Sequence, residues 1–549
     1  DALGQAKTKN LGKVRNSDGV TYSSTPIETL TYDYNIRGWL LGMNRNYLTA
    51  NGQSGTSRFG FELGYDKSTN QSGQNFSSPA QFNGNISGMV WKSDGDDVRR
   101  MYSFGYDAAN RILKGDFIQQ NPNDNTWNNS VINYTMKMGD GTTAASAYDA
   151  NGNILSMTQF GWKVGGSTST PIDNLTYSYI PNTNKLKVVT DANNDNNSKL
   201  GDFKYDATTK TATDYSYDNN GNLVQDNNKK ISGITYNHLN LPQTITVTGK
   251  GTITYTYDAG GNKLQKQTTE SGASMTWQGT NYTGLTITTT TLYVGGFVYE
   301  TKSYSNATLQ TALGYANKLQ FGAHEEGRIR PLYNNGSSPN TITGMAYDYF
   351  IKDHLGNVRM VLTDELKTNA YPVASLETAT LTTEKQFYNI PDAGTVRVLK
   401  STVSGYPTDT YTNPNDYVHK LNGNGTKVGT SIVLKVMAGD KVNLRANSWY
   451  KLNGATPQTP VNPLTDLLNI LANGVAAGGK ATVTELTNSN ILNPGMTNFL
   501  NGRTYTSTRP KAYLNWVLFD EQMNMVTGSS GFEQVGADNE FKTHLQNNL

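Results

Sequence analysis

The chain has no cysteine, so neither disulfides nor thiolate metal sites contribute to its stability or chemistry. Charge is scarce as well. Charged residues make up 16%, and Lys+Arg 46 against Asp+Glu 44 leaves a formal charge of +2. That balance supplies no global field to draw in nucleic acid or an anionic membrane. It also lacks the high net charge of a disordered chain. Long apolar runs are missing too. The longest, Trp39-Leu40-Leu41 and Trp516-Val517-Leu518-Phe519, fall far below the ~20 residues of a membrane-spanning helix. Histidine is limited to five scattered residues, which argues against a His-based metal set or triad. At 549 residues the chain is too long for one ordinary domain.

Glycine (54) and tyrosine (33, against 16 phenylalanines) are plentiful, which suits short strands joined by tight turns. A repeat organises the first two thirds. Tyr106-Asp107, Tyr148-Asp149, Tyr217-Asp218 and Tyr257-Asp258 each precede a turn and then an aliphatic residue: Ile112, Ile154, Leu223 and Leu264. Degenerate copies sit at Tyr32, Tyr65, Tyr205 and Tyr236. Tyr217 to Tyr236 is 19 residues and Tyr236 to Tyr257 is 21.

Each unit reads as a β-hairpin. Residues 252–257 alternate as a half-buried strand does. Asn151-Gly152 and Asn220-Gly221, like the glycine Gly261 of the next copy, suit the φ > 0 positions of a type I′ turn. The aspartate ahead can bond the turn amides. One hairpin is marginal alone, so the units are expected to stack edge to edge into a long antiparallel sheet that twists and coils. The tyrosines are expected to pair across strands in aromatic ladders.

These units resemble the YD repeats of the RHS family of bacterial proteins, related to the shells of insecticidal toxin complexes and to animal teneurins. Gly327-Arg328-Ile329-Arg330-Pro331 follows His324-Glu325-Glu326, and Tyr347-Asp348-Tyr349 leads into Asp353-His354-Leu355-Gly356-Asn357-Val358-Arg359. Both stretches resemble the entry to the RHS-repeat-associated core. The resemblance covers residues 1–372. It implies a hollow cocoon of spiralling β-sheet, non-enzymatic in itself, around a C-terminal toxin segment or another encapsulated polypeptide. It also implies a secreted or cell-surface protein of a Gram-negative bacterium, with an outer-membrane secretion apparatus as a further partner. RHS cores usually end in a Tyr-Asp-Pro-x-x-Gly-Arg stretch and Asp-Pro-x-Gly repeats that carry self-cleavage. No such stretch occurs between Asp364 and Leu549, so no catalytic residue is carried over, and the chain reads as a fragment or a processed piece.

The expected fold is all-β. A spiralling antiparallel shell of hairpins spans 1–345, the start of the RHS core motif 346–372, and an inserted jelly-roll-like β-sandwich with one short helix 373–549. In that last domain 431–437 and 441–444 alternate around a turn, and 512–520 reads as the best buried strand. The helix is expected over 463–473, capped by Asn462 or Thr465 and stopped by Gly474. Trp449, Tyr450 and Trp516 would stack on sugar rings if exposed. A surface adhesin or glycan-binding protein is therefore the alternative function.

Asp191, Asn193, Asp195 and Asp202 occupy positions 1, 3, 5 and 12 of a calcium loop. Asn196 stands where that loop needs glycine, Asp202 is shorter than glutamate, and neither flank reads as helix. A solvated polar loop is the simpler account, and no metal or cofactor is assigned. His324-Glu325-Glu326 lacks the second histidine of His-Glu-x-x-His, since position 328 is arginine; it reads as turn or strand. His354 with Asp353 has the makings of a general base, but a core histidine bonded to backbone is the simpler account. Arg328 and Arg330 read as partners of repeat carboxylates.

Overall fold

The computed structural model describes residues 4–49, 57–95, 97–121, 125–130, 132–161, 171–194, 202–277, 280–334, 341–408, 415–437, 439–452, 462–476, 486–489, 492–520 and 523–549. The chain is all-β and forms two compact units, the first ending at Thr368 and the second starting at Asn369.

The first unit holds two sheets of twelve strands. The first sheet begins with β1 (Thr8–Leu11), β2 (Glu28–Tyr34), β3 (Leu40–Met43), β4 (Phe59–Gly64), β5 (Gly88–Ser93) and β6 (Arg100–Tyr106). It continues with β7 (Ile112–Gln120), β8 (Trp127–Asn128), β9 (Met136–Met138), β10 (Ser156–Gln159), β11 (Asp173–Tyr179) and β12 (Leu186–Asp191). Each strand runs antiparallel to the next, except that the short β8 pairs with β7 alone. The second sheet opens with β13 (Tyr215–Tyr217), β14 (Leu223–Asp226), β15 (Ile231–Tyr236), β16 (Pro242–Val247), β17 (Gly251–Tyr257) and β18 (Lys263–Trp277). It closes with β19 (Thr280–Val294), β20 (Phe297–Tyr304), β21 (Tyr315–His324), β22 (Gly327–Tyr333), β23 (Ile342–Lys352) and β24 (Val358–Thr363). It is an unbroken antiparallel meander.

Sequence pattern decides which strands carry the core. β7 alternates half-buried and buried positions residue by residue, as the two-residue period of a pleat requires. β4 is buried at all six positions. Leu11, Leu30, Phe59, Phe61 and Leu63 share one apolar cluster with Ile351 of β23 and Leu362 of β24. The last strands of the second sheet thus pack on the first strands of the first sheet. Polar contacts fix the same return: Lys9 Nζ meets Glu326 Oε1 at 2.6 Å, and Arg15 and Tyr22 both bond Asp364 Oδ2, at 2.8 and 2.7 Å. Gly12 is required where the two ends meet. Its φ is +50°, and a Cβ there would fall 2.5 Å from the Tyr349 ring.

The second unit departs from expectation. No pair of facing sheets forms among its described residues. Instead there are three two-stranded ladders: β25 (Arg397–Leu399) with β26 (Tyr417–His419), β27 (Leu444–Trp449) with β30 (Phe541–Gln546), and β28 (Tyr513–Trp516) with β29 (Gly531–Gln534). The alternating stretch 431–437 makes only a bridge from Ser431 to Asn389, because a strand pattern needs a partner edge to become a strand. Within 512–520 the strand is Tyr513–Trp516, half-buried throughout. The expected single helix is one of several. Helix Leu464–Ala476 starts where Asn462 Oδ1 accepts from Leu464 N at 2.9 Å, and it runs through Gly474. Leu468 and Ala472 pack against Leu492 and Met496 of helix Leu492–Gly502, and a short helix spans Leu381–Glu384.

Candidate functional site

The recurring turn has one geometry. In the copy built on Asp218, Asp218 N donates to Asn222 O and Gly221 N to Asp218 O, at 2.9 and 3.1 Å. Asp218 Oδ1 accepts from Asn222 N at 2.8 Å, and Oδ2 from the Asn222 side-chain amide at 2.9 Å. Only Gly221 has a positive φ, +87°. This is a three-residue loop, a type I turn followed by a left-handed bulge residue, and the ladder shifts register beside it at Tyr217. The expected type I′ turn at Asn-Gly is therefore corrected. The carboxylate bonds the amide that closes the loop, and that bond favours one left-handed residue over two. Asp149 and Asp258 repeat the pattern with Gly152 and Gly261, Asp107 with Asn110, and Asn237 with Asn240. A true pair of positive-φ residues closes a two-residue turn at Gly295-Gly296 instead. The Asn222 side chain and the turn amides hold the Asp218 carboxyl below the usual carboxylate range.

Cross-strand aromatic pairs of the expected kind form at Tyr102, which meets Trp91 and Phe117 at 5.6 and 5.4 Å, and at Tyr65, which meets Trp39 at 5.2 Å; the repeat tyrosines also act as staples. Tyr148, Tyr179, Tyr217, Tyr236 and Tyr257 each donate the phenol hydrogen to a backbone carbonyl just past the preceding turn: Ile112, Ile154, Leu186, Leu223 and Pro242. The distances run from 2.5 to 3.0 Å. A phenol with its ring half buried and its hydroxyl on a carbonyl satisfies both halves of the side chain. Neighbouring turns are also tied through asparagine: the side-chain amides of Asn220 and Asn222 both donate to Asn240 Oδ1 at 3.1 Å.

Asp353-His354-Leu355-Gly356-Asn357-Val358-Arg359 is this same turn, with Asp353 buried, His354 half-buried and residues 355–359 exposed. Asp353 Oδ1 accepts from Leu355 N and Asn357 N at 2.9 and 3.0 Å, and Arg359 Nε donates to Oδ2 at 2.7 Å. Gly356 supplies the positive φ, +82°. Despite burial, the bonds from Asn357 and Arg359 hold the Asp353 carboxyl below its ordinary value. Asp353 is thus occupied by its own turn. His354 lies 5.9 Å from the Phe61 ring, and its Nδ1 is buried without a hydrogen bond. Burial lowers its pKa. A histidine packed on an aromatic ring and not aligned by its neighbouring aspartate is poorly built for general-base work. Arg328 and Arg330 both reach Asp348 Oδ2, at 2.7 and 2.6 Å. His324 Nε2 sits 3.2 Å from Asp348 O, inside the β21–β22 hairpin.

The aspartates of the calcium-loop pattern are placed differently from a solvated loop. Asp191 ends β12 and is buried, and Asp202 comes beside it. The third member is one the sequence reading missed: Asp173, the first residue of β11, with all three carboxylates inside 4.8 Å. Three ionised carboxylates so close repel by roughly 3 kcal/mol per pair at an effective dielectric near 20. The Asn193 side-chain amide donates to Pro171 O at 3.2 Å, and Asp195 lies outside the described residues. The signal that finds Asp173 is hairpin register: Leu175 faces Asp191, so Asp173 stands one diagonal step away.

In the second unit Trp449 leans on Tyr406 at 5.4 Å, and Trp516 covers Gly531. Both tryptophans and Tyr450 are half-buried. Among the described residues of this unit the repeat turn recurs at Asp520, with Met523 in the left-handed position and Asn524 returning its amide to Asp520. No helix among the described residues is long and apolar enough to cross a membrane.

No protein-family model and no curated protein matches the chain. Among solved structures, TcdB2-TccC3 without its hypervariable C-terminal region is 14% identical over 61% of this chain and 17% of that one, with a TM-score of 0.23. TcdB2-TccC3-TEV gives 14% identity and 0.22 over the same shares. A porin-like protein from Bacteroides uniformis is 14% identical over 50% of this chain and 90% of that one, with a TM-score of 0.15. This chain spans 17% of the length of the toxin-complex chains it matches. Likeness at this level carries no functional argument.

Proposed function

We propose that the chain is a wall-forming, non-enzymatic segment of a secreted RHS-type protein, and that its role is to enclose a polypeptide until delivery. One observation carries this reading: after a run of consecutive antiparallel hairpins, β23 and β24 return onto β1 to β5. A ladder whose end packs on its beginning has the connectivity of a wall around a space. Stapled turns suit that purpose, since each hairpin is marginal alone and takes its support from the one before. The occupant in this reading is a toxic segment downstream or another polypeptide, and the setting is the surface or exterior of a Gram-negative bacterium.

The test is electron microscopy and limited proteolysis of the full chain carrying a C-terminal passenger. Internal density for the passenger, with its digestion blocked while the wall is intact, is the expected result. A solid particle whose passenger is cut as fast as the free polypeptide overturns the proposal.

A further inference from the structure

We propose that Asp173, Asp191 and Asp202 hold a divalent cation of the calcium class where the first large sheet hands over to the second. The carboxylates arrive from three places: the first residue of β11, the last residue of β12, and the chain that follows. One oxygen from each lies within 4.8 Å of the other two, and Asp173 and Asp191 are 3% and 4% exposed. Backbone amides fix the arrangement. Phe203 N donates to Asp173 Oδ1 at 2.7 Å, and Asn174 N and Asn193 N donate to Asp191 Oδ1 at 2.8 and 2.9 Å.

The second observation is Asp191 Oδ2. It is buried and makes no hydrogen bond, and among the described residues no ion pair reaches Asp191. A buried carboxylate oxygen with no donor is costly, and this one faces two more acids. A cation satisfies all three at once. The ligands are all oxygen, which selects a hard ion. Three carboxylates gathered within 4.8 Å of one another suit calcium, which accepts many protein oxygens, better than magnesium, which keeps most of its waters and binds through one or two carboxylates.

The position gives the ion its work. Between β12 and β13 the strand-by-strand ladder is interrupted, and side chains bridge the gap: Asp214 Oδ2 accepts from Val189 N at 2.9 Å, and Tyr217 donates to Leu186 O at 2.9 Å. A cation on Asp191 and Asp202 would anchor the start of this connection to β11. The inference stands apart from the enclosure reading and survives its failure.

The full chain, stripped with EDTA, is titrated with calcium and separately with magnesium by calorimetry, and melted with and without each ion. One calcium per chain, a calcium-dependent rise in Tm and loss of protease cleavage within 192–214 are expected. Asp191→Asn and Asp202→Asn should each lose the calcium heat and the Tm shift. Neither should melt below the calcium-free parent, because each removes a charge from the cluster. Absence of calcium heat, its persistence in Asp191→Asn, or an equal response to magnesium overturns the proposal.

Discussion

From Phe59 to Phe117 the first sheet buries Phe61, Leu63, Val90, Met101, Leu113 and Phe117. From Tyr215 to Gly284 the second sheet buries no hydrophobic side chain among the described residues, yet its strands pair without interruption. Both stretches use the aspartate turn and the tyrosine staple. The contrast separates two roles that are often merged. Register comes from the turn and the staple, which are local. Resistance to unfolding comes from the apolar cluster, which the first sheet shares with β23 and β24. Where the core is thin, the second sheet leans on cross-strand threonine pairs such as Thr268 with Thr289 and Thr269 with Thr288. The helix Ala307–Leu313, whose Leu309 covers Leu285 and Ile287, gives further cover.

The contrast is easiest to break in the core. Phe61→Ala should cost about 3–5 kcal/mol, since the ring is buried on all sides and leaves a cavity. Ile245→Ala, at a half-buried position of β16, should cost under about 2 kcal/mol. Urea denaturation of the two variants decides, and equal losses would end the distinction.

The next effect is electrostatic and belongs to the first sheet alone. Glu28 is fully buried, with Asn44 donating to it, and burial pushes its carboxyl up to about 7 from 4.5. The native state therefore holds the proton more tightly than the unfolded chain. The stability this contributes is complete below pH 4.5 and is lost as pH rises through about 7. Glu28→Gln should flatten that slope and stabilise the protein at pH 8 by on the order of 2 kcal/mol. Melting curves of parent and variant across this range check it.

The smallest effect probes the turn. A Cβ at Gly221 meets only the Lys185 side chain, at 3.6 Å, so Gly221→Val pays for backbone strain alone, about 1–2 kcal/mol. Hydrogen exchange should loosen in β13 and β14 and stay unchanged in β4 and β5. Uniform loosening of both sheets would show that register is not local after all.

What the sequence revealed follows the same division. Tyr217, Asp218 and Gly221 announce a hairpin because the signal lies within seven residues. The turn type was misread because Asn220-Gly221 invites two left-handed residues, while the Asp218 carboxylate, bonded to Asn222, settles on one. The packing of Ile351 against Phe61 was out of reach, since nothing local ties β23 to β4. Asp173 was missed for a milder reason: its link to Asp191 runs across a hairpin, and a loop motif read along the chain does not look sideways. In the second unit, 431–437 alternates like a strand, but a pattern cannot say whether a neighbour offers its edge.

The bond from Arg15 and Tyr22 to Asp364 has a consequence for lineage as well as for shape. Because interior hairpins are stitched to their immediate neighbours, copies can be gained or lost without redrawing the rest. Only certain tallies, however, bring residue 364 back to residue 15. The seam therefore works as a counter, tolerating drift in the sequence of any one repeat while penalising a change in how many there are.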